Sequence, residues 1–185
     1  DTVTEIGKNA FDGCKNWSNA TIPSKVTSIG EYAYRNCLQL KYAEIPADVI
    51  QIEKGTFYYC SALQSVTIPV GVKQIGMDAF GWCTALETVN LPDSVATIGS
   101  AAFRNCTSLN SINVPNGIQN IENKTFEDCN SLKKIALPES VRRIGEDAFA
   151  KCYKLEQVTM PTQLTELGEY AFFNCYNLQN ITIPN

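Results

Sequence analysis

The sequence predicts a right-handed α/β solenoid of eight 23-residue coils, and three observations carry that prediction. The cysteines Cys14, Cys37, Cys60, Cys83, Cys106, Cys129, Cys152 and Cys175 are 23 residues apart at every step. The prolines Pro23, Pro46, Pro69, Pro92, Pro115, Pro138, Pro161 and Pro184 keep the same interval. These two columns hold every cysteine and proline in the chain, so nothing is inserted or deleted between units. The third observation is polar/apolar alternation just ahead of each proline, as in Ser65-Val66-Thr67-Ile68, which marks a strand with one buried face. Eight units account for 184 of the 185 residues, as one domain over 1–185. A unit this small buries its apolar residues only by stacking on its neighbours.

Each element of the coil follows from its own residues. Strands at equal steps along a solenoid must be parallel and about 4.8 Å apart, so seven steps build a concave sheet about 34 Å long. Proline ends each strand, because it donates no ladder hydrogen bond. The following Val-x-x-Ile-Gly stretch returns across the convex side as a short extended piece, with the glycine turning the chain. Glu-x-Ala-Phe-x-x-Cys, as in Glu146 to Cys152, has helical spacing but little length, and is expected to form a single helical or 3₁₀ turn. Connections between parallel strands are expected to be right-handed. Departures from the repeat are few. Tyr34 stands in the phenylalanine column, Trp17 in the leucine column, and Glu53 and Glu122 in the glycine column.

The pattern Ile75-Gly76-x-x-Ala79-Phe80-x-x-Cys83-x-x-Leu86-x-x-Val89-x-Leu91-Pro92 recurs through the chain. It resembles the BspA-like class of leucine-rich repeats, found in bacterial and protozoan surface proteins. The resemblance covers every unit and implies an α/β leucine-rich-repeat solenoid. It also implies an extracellular or cell-surface location and attachment to host cells or matrix.

Eight cysteines invite a disulfide reading, but residues in one solenoid column project in parallel. A disulfide needs two Cβ atoms about 3.8 Å apart on converging bonds. The column is expected to pack as small hydrophobes. A zinc site is disfavoured as well, since there is no Cys-x-x-Cys and no histidine.

The absence of histidine removes the commonest general base, and no Gly-x-Ser-x-Gly elbow or glycine-rich phosphate loop is present. Adjacent carboxylates such as Glu146 and Asp147 occupy polar turn positions. No cofactor and no catalytic activity are expected. A net charge of −4 argues against nucleic acid, and no apolar run is long enough to span a membrane. The opening residues Asp1-Thr2-Val3-Thr4-Glu5 have no basic n-region and no apolar h-region, so no signal peptide is expected among them.

Strand alternation writes out the concave face. One outward column runs Asn19, Tyr42, Ser65, Thr88, Ser111, Lys134, Gln157, Asn180, and the next runs Thr21, Glu44, Thr67, Asn90, Asn113, Ala136, Thr159, Thr182. Tyr42, Glu44, Thr67, Asn90, Asn113 and Lys134 are candidate contacts for a protein or glycan ligand, host extracellular matrix among them. A second candidate is the aromatic flank of Tyr58, Tyr59 and Trp82, because tyrosine and tryptophan are enriched in interface hot spots. Tyr153, Phe173 and Tyr176 form another aromatic group near the C-terminal end. Lys133, Lys134, Arg142, Arg143, Lys151 and Lys154, interspersed with acids, read as a solvated face. Five Asn-x-Ser/Thr sequons occur, at Asn16, Asn19, Asn105, Asn123 and Asn180. The chain opens and closes in mid-pattern without caps, so end-to-end contacts with further repeats are expected.

Overall fold

The computed structural model describes residues 2–183; Pro184, the last member of the proline column, lies outside them. Two series of short parallel strands alternate along the chain. The first comprises Asn19–Ala20, Tyr42–Glu44, Ser65–Thr67, Thr88–Val89, Ser111–Ile112, Lys134–Ala136 and Gln157–Thr159, and Asn180 bridges to Gln157. The second comprises Glu5–Ile6, Ser28–Ile29, Gln51–Ile52, Gln74–Ile75, Thr97–Ile98, Asn120–Ile121, Arg143–Ile144 and Glu166–Leu167. Paired residues are one repeat apart, as in Tyr42 opposite Ser65 and Gln74 opposite Thr97. The eight strands of the second series delimit seven complete turns among the described residues, where eight coils were expected. The architecture is a parallel β-solenoid.

No helix occurs among the described residues, so the expected helical or 3₁₀ turn, and with it the α/β class, is corrected. The reason is backbone handedness. The turn carries a left-handed residue every four positions, for instance Asn9 and Gly13, Asp78 and Trp82, Asp147 and Lys151. Such residues interrupt an α-helix. Alternate amides turn back three residues within the coil, as Cys14 N–H does to Phe11 O at 3.1 Å. The others donate to the next coil, as Phe11 N–H does to Ala33 O at 2.8 Å. The turn is therefore a third ladder of bonds between coils.

The glycine after each second-series strand has a steric cause. A Cβ on Gly30, Gly76 or Gly99 would lie 2.6–2.7 Å from a backbone nitrogen of the preceding coil. There each glycine amide donates to the coil before, as Gly99 N–H does to Ile75 O at 2.8 Å. Glu53 and Glu122 make no such bond, and the second sheet is interrupted just before each of them. Both coils also place a buried threonine where others have alanine: Thr56 and Thr125 hydroxyls donate to the Glu53 and Glu122 carbonyls at 2.9 and 2.8 Å. A cleft of about 310 Å³ opens at the second break, lined by Thr97, Asn120 and Glu122 among others.

Inside, an aromatic column runs the length of the solenoid. From Phe11 through Tyr34 to Phe172, successive rings stack with centroids 5.2–5.8 Å apart. Each fully buried phenylalanine contributes roughly 1.5–3 kcal/mol. Beside it the cysteines are free thiols and pack, as the parallel column implies. Each thiol from Cys37 onward donates to the carbonyl of the aromatic residue in the coil before, for example Cys60 to Tyr34 at 3.0 Å and Cys152 to Phe126 at 3.1 Å. Burial pushes the Cys83, Cys106, Cys129 and Cys152 thiols up, away from the reactive thiolate form.

Candidate binding surface

The first sheet exposes both columns read from the alternation. Buried Ala43, Val66 and Val89 alternate with exposed Tyr42, Glu44, Thr67, Thr88 and Asn90. Two separate hollows lie over this sheet. One of about 730 Å³ brings together Tyr42, Glu44 and Thr67 with Asn19, Thr21 and Ser65. Tyr42 is 52% exposed, and its hydroxyl lies 2.9 Å from Gln64 Oε1. A tyrosine tethered by its hydroxyl keeps a ring face free while losing rotamer freedom in advance, which lowers the entropy cost of a contact.

The second hollow, about 670 Å³, is lined by Lys134 with Glu156, Gln157, Thr159, Gln179 and Asn180. Lys134 is thus four coils from Tyr42, and the structure does not join them in one site. Asn90 is exposed between the hollows and lines neither. Asn113 is committed to the fold. Its amide accepts from Leu91 N–H and donates to Leu91 O, both at 2.7 Å. It replaces the backbone bond that Ile45 N–H makes to Thr67 O elsewhere in this sheet.

The aromatic flank is assembled by the left-handed turns. Tyr59 and Trp82 stack with centroids 5.6 Å apart at 30°, and Tyr58 lies 6.1 Å from Tyr59. Tyr59 is 41% exposed, while Tyr58 and Trp82 are half-buried. The Tyr58 ring lies over Gly81, where a Cβ would come within 3.1 Å of it, and the Tyr32 ring covers Gly55 in the same way. Tyr32, unremarked in the sequence reading, extends the flank by one coil. Arg35 stands 5.0 Å from the Tyr32 ring centroid and Lys54 5.9 Å. The signal in the sequence was the column itself, where Tyr32 stands among Asn9, Gly55 and Asp78.

Tyr59 and Trp82 have φ of 62° and 63°, while the same column holds Gly13, Asn36, Asn105, Asp128, Lys151 and Asn174 in other coils. A bulky side chain costs roughly 1–2 kcal/mol in this conformation, whereas glycine and asparagine adopt it readily. Asp78, beside Tyr58, is half-buried, and burial raises its carboxyl above the ordinary range against the pull of Arg104 and Lys54.

Several charges near these surfaces are paired between coils. Arg35 bonds Asp12, Arg104 lies 2.8 Å from the buried Glu127, and Arg143 bonds Glu166 at 2.9 Å and Glu122 at 3.2 Å. Of the cationic residues of the sixth and seventh units, Lys134 stands on the first series of strands, Arg143 on the second and Lys151 in the turn, so they do not form one face. Among the sequons, Asn105 is buried, and the Asn123 side-chain oxygen accepts from Glu146 N–H at 3.1 Å. Tyr153 and Tyr176 stack at 5.4 Å near the last coil, and Phe173 meets Tyr170 edge-on. Among the described residues no cluster of carboxylates and thiols with metal-binding geometry occurs, and no helix is long and apolar enough to cross a membrane.

Comparison with known proteins bears on the same scaffold. A leucine-rich repeat protein from Bacteroides ovatus shares 38% identity and superposes with a TM-score of 0.87 over 90% of this chain, which spans 43% of that protein. A leucine-rich repeat protein from T. pallidum shares 36% identity at a TM-score of 0.79, over 83% of this chain and 72% of its own. A leucine-rich cell surface protein from Faecalibacterium prausnitzii shares 30% identity at a TM-score of 0.60, over 99% of this chain and 65% of its own. No curated protein shows significant similarity. The model of a BspA-type leucine-rich repeat region of six copies matches residues 1–109 and again 73–185, which together cover the sequence from end to end. This chain belongs to the BspA-type leucine-rich repeat family.

Proposed function

We propose that the chain is a non-catalytic recognition module of a cell-surface or secreted protein, binding a protein or glycan of the extracellular matrix or host surface. The observation that carries this reading is the hollow holding Tyr42 and Glu44, an exposed tethered tyrosine and a carboxylate in an otherwise uncharged lining. Such groups recognise ligands by directional hydrogen bonds around an aromatic anchor. The likeness to a leucine-rich cell surface protein supports the location.

The test is binding of the purified chain to immobilised matrix proteins and mucins, beside a Tyr42→Ala/Glu44→Ala variant. Saturable binding that the variant weakens by about thirtyfold, the effect of losing a hot-spot residue, supports the reading. No binding anywhere on the panel by a folded chain overturns it.

The ends of the solenoid favour a second reading, a module that stacks on further repeats. Leu167 is 40% exposed and Phe172, Cys175 and Leu178 are half-buried, where their equivalents in central coils are fully buried. Phe11 and Trp17 are half-buried at the other end. Light scattering that shows concentration-dependent association supports stacking, and a strict monomer at high concentration counts against it.

A further inference from the structure

We propose that the flank formed by Tyr32, Tyr58, Tyr59 and Trp82 is a second binding site, distinct from the hollowed sheet, for a neutral saccharide chain. The inference deepens the recognition role proposed above by naming a ligand class and a place, and it rests on that role.

Three observations lead to it. The fold does not ask for rings at these positions. Tyr59 and Trp82 sit in left-handed backbone where the other coils carry Gly13, Asn36, Asn105, Asp128, Lys151 and Asn174, none of them a ring, and the solenoid winds through those coils with the same bonds between them. Two bulky rings in adjacent coils, at positions that asparagine fills without strain, point to a role beyond local structure.

The rings are also arranged as a platform. Tyr59 and Trp82 stack at 5.6 Å with 30° between their planes, Tyr59 is 41% exposed, and Gly55 and Gly81 let the Tyr32 and Tyr58 rings lie down on the neighbouring coil. A pyranose ring offers one apolar face of C–H bonds, rimmed by hydroxyls, and packs on an aromatic face. The steps between coils suit an extended chain of such rings.

The third observation is charge. Both arginines beside the rings are neutralised, Arg35 by Asp12 and Arg104 by Glu127. The Asp78 carboxylate and Lys54 ammonium on the same flank are of opposite sign. The site therefore presents donors and acceptors without a net charge, which fits hydroxyls better than a sulfated or uronic-acid polymer.

The experiment uses the whole chain, its Tyr59→Asn/Trp82→Asn variant and the Tyr42→Ala/Glu44→Ala variant. Each is titrated calorimetrically with cellohexaose, chitohexaose, laminarihexaose and mannohexaose, with heparin and a proline-rich decapeptide as comparison ligands. Trp82 is one of two tryptophans, and the other, Trp17, packs on Phe11 and Tyr34, so a ligand on the flank shifts the emission of Trp82 alone. The expected result is saturable binding of at least one neutral hexasaccharide with a change in tryptophan emission. The double asparagine variant weakens it by about thirtyfold or more. Because asparagine suits this backbone, that variant keeps its melting temperature within about 4 °C, separating lost contact from lost fold.

The inference is overturned if no neutral hexasaccharide binds, if the asparagine variant binds as well as wild type, or if only heparin or the peptide binds the flank. In any of these cases matrix or mucin binding that maps to Tyr42 and Glu44 leaves the recognition role standing. If neither surface binds anything, both readings fall.

Discussion

At the residue scale the most demanding positions are glycines. Gly99 is held by contact, since any Cβ there would press on the backbone of Met77 at 2.6 Å, whereas a Cβ on Gly7 meets nothing within 4 Å. Gly99→Ala is expected to destabilise by about 1–3 kcal/mol through overpacking, and Gly7→Ala to be close to neutral; chemical denaturation of the two variants checks the contrast. Thiols show the same dependence on place. Cys14 is exposed while Cys37 to Cys152 are buried, and burial raises Cys175 to about 11. In the native state at neutral pH, Ellman's reagent is expected to label Cys14 first and the others only on unfolding. The concave candidates Tyr42 and Glu44 were legible from alternation alone, because a period of two assigns faces without knowledge of the turn. Asn113 has a second role that the alternation does not reveal. Its outward position is correct, but its amide can reach a neighbouring backbone that the one-dimensional pattern does not show.

At the element scale the strands and their register follow from the 23-residue period, since equal coils leave each strand one partner on either side. The turn was misread because Ala-Phe-x-x-Cys has the same spacing on a helix as in a chain of tight turns. The distinguishing residues were the asparagines, aspartates and glycines of the two left-handed columns. Ion pairs between turns set the response to acid. Arg35 holds Asp12, Lys8 holds Glu31, and Thr162 holds Glu139 below their ordinary values of 3.8, 4.5 and 4.5. A carboxylate depressed in the folded state stabilises above its ordinary value, and that contribution is lost as pH falls through the folded one. Asp78 is shifted upward by burial, so its effect has the opposite sign and diminishes as pH falls. With three groups against one, the melting temperature is expected to fall between about pH 5 and pH 3. Arg35→Gln should flatten that fall, and Asp78→Asn should raise the melting temperature above pH 5.

At the scale of the whole molecule, the two glutamates that replace glycine divide the second sheet into runs of two, three and three strands. Repeat proteins draw stability from each unit and from its interfaces, so a weakened interface marks a boundary of cooperative opening. Amides of Glu53 and Glu122 are expected to exchange hydrogen faster than those of Gly76, Gly99 and Gly145. Glu122→Gly should close the second break and slow exchange in the coil that follows. The glutamates were visible in the sequence as departures, but their consequence was not, because it depends on how closely successive backbones approach. The division of the first-series surface into two hollows was hidden likewise; they lie over the runs Asn19 to Thr67 and Lys134 to Thr159, and the strand pairing is interrupted between them.

Apart from the tight-turn bonds within a coil, the bonds of sheet and turn and the contacts of the aromatic and thiol columns join a residue to its counterpart one coil away or a few residues beyond. A duplication or loss of one whole unit therefore recreates the same set of partners, whereas a single-residue deletion moves every column at once. Tandem recombination in the gene, which copies and excises in whole units, is a kind of change this protein can absorb. Ancestors and descendants of the chain should differ in length by multiples of 23 residues far more readily than by one.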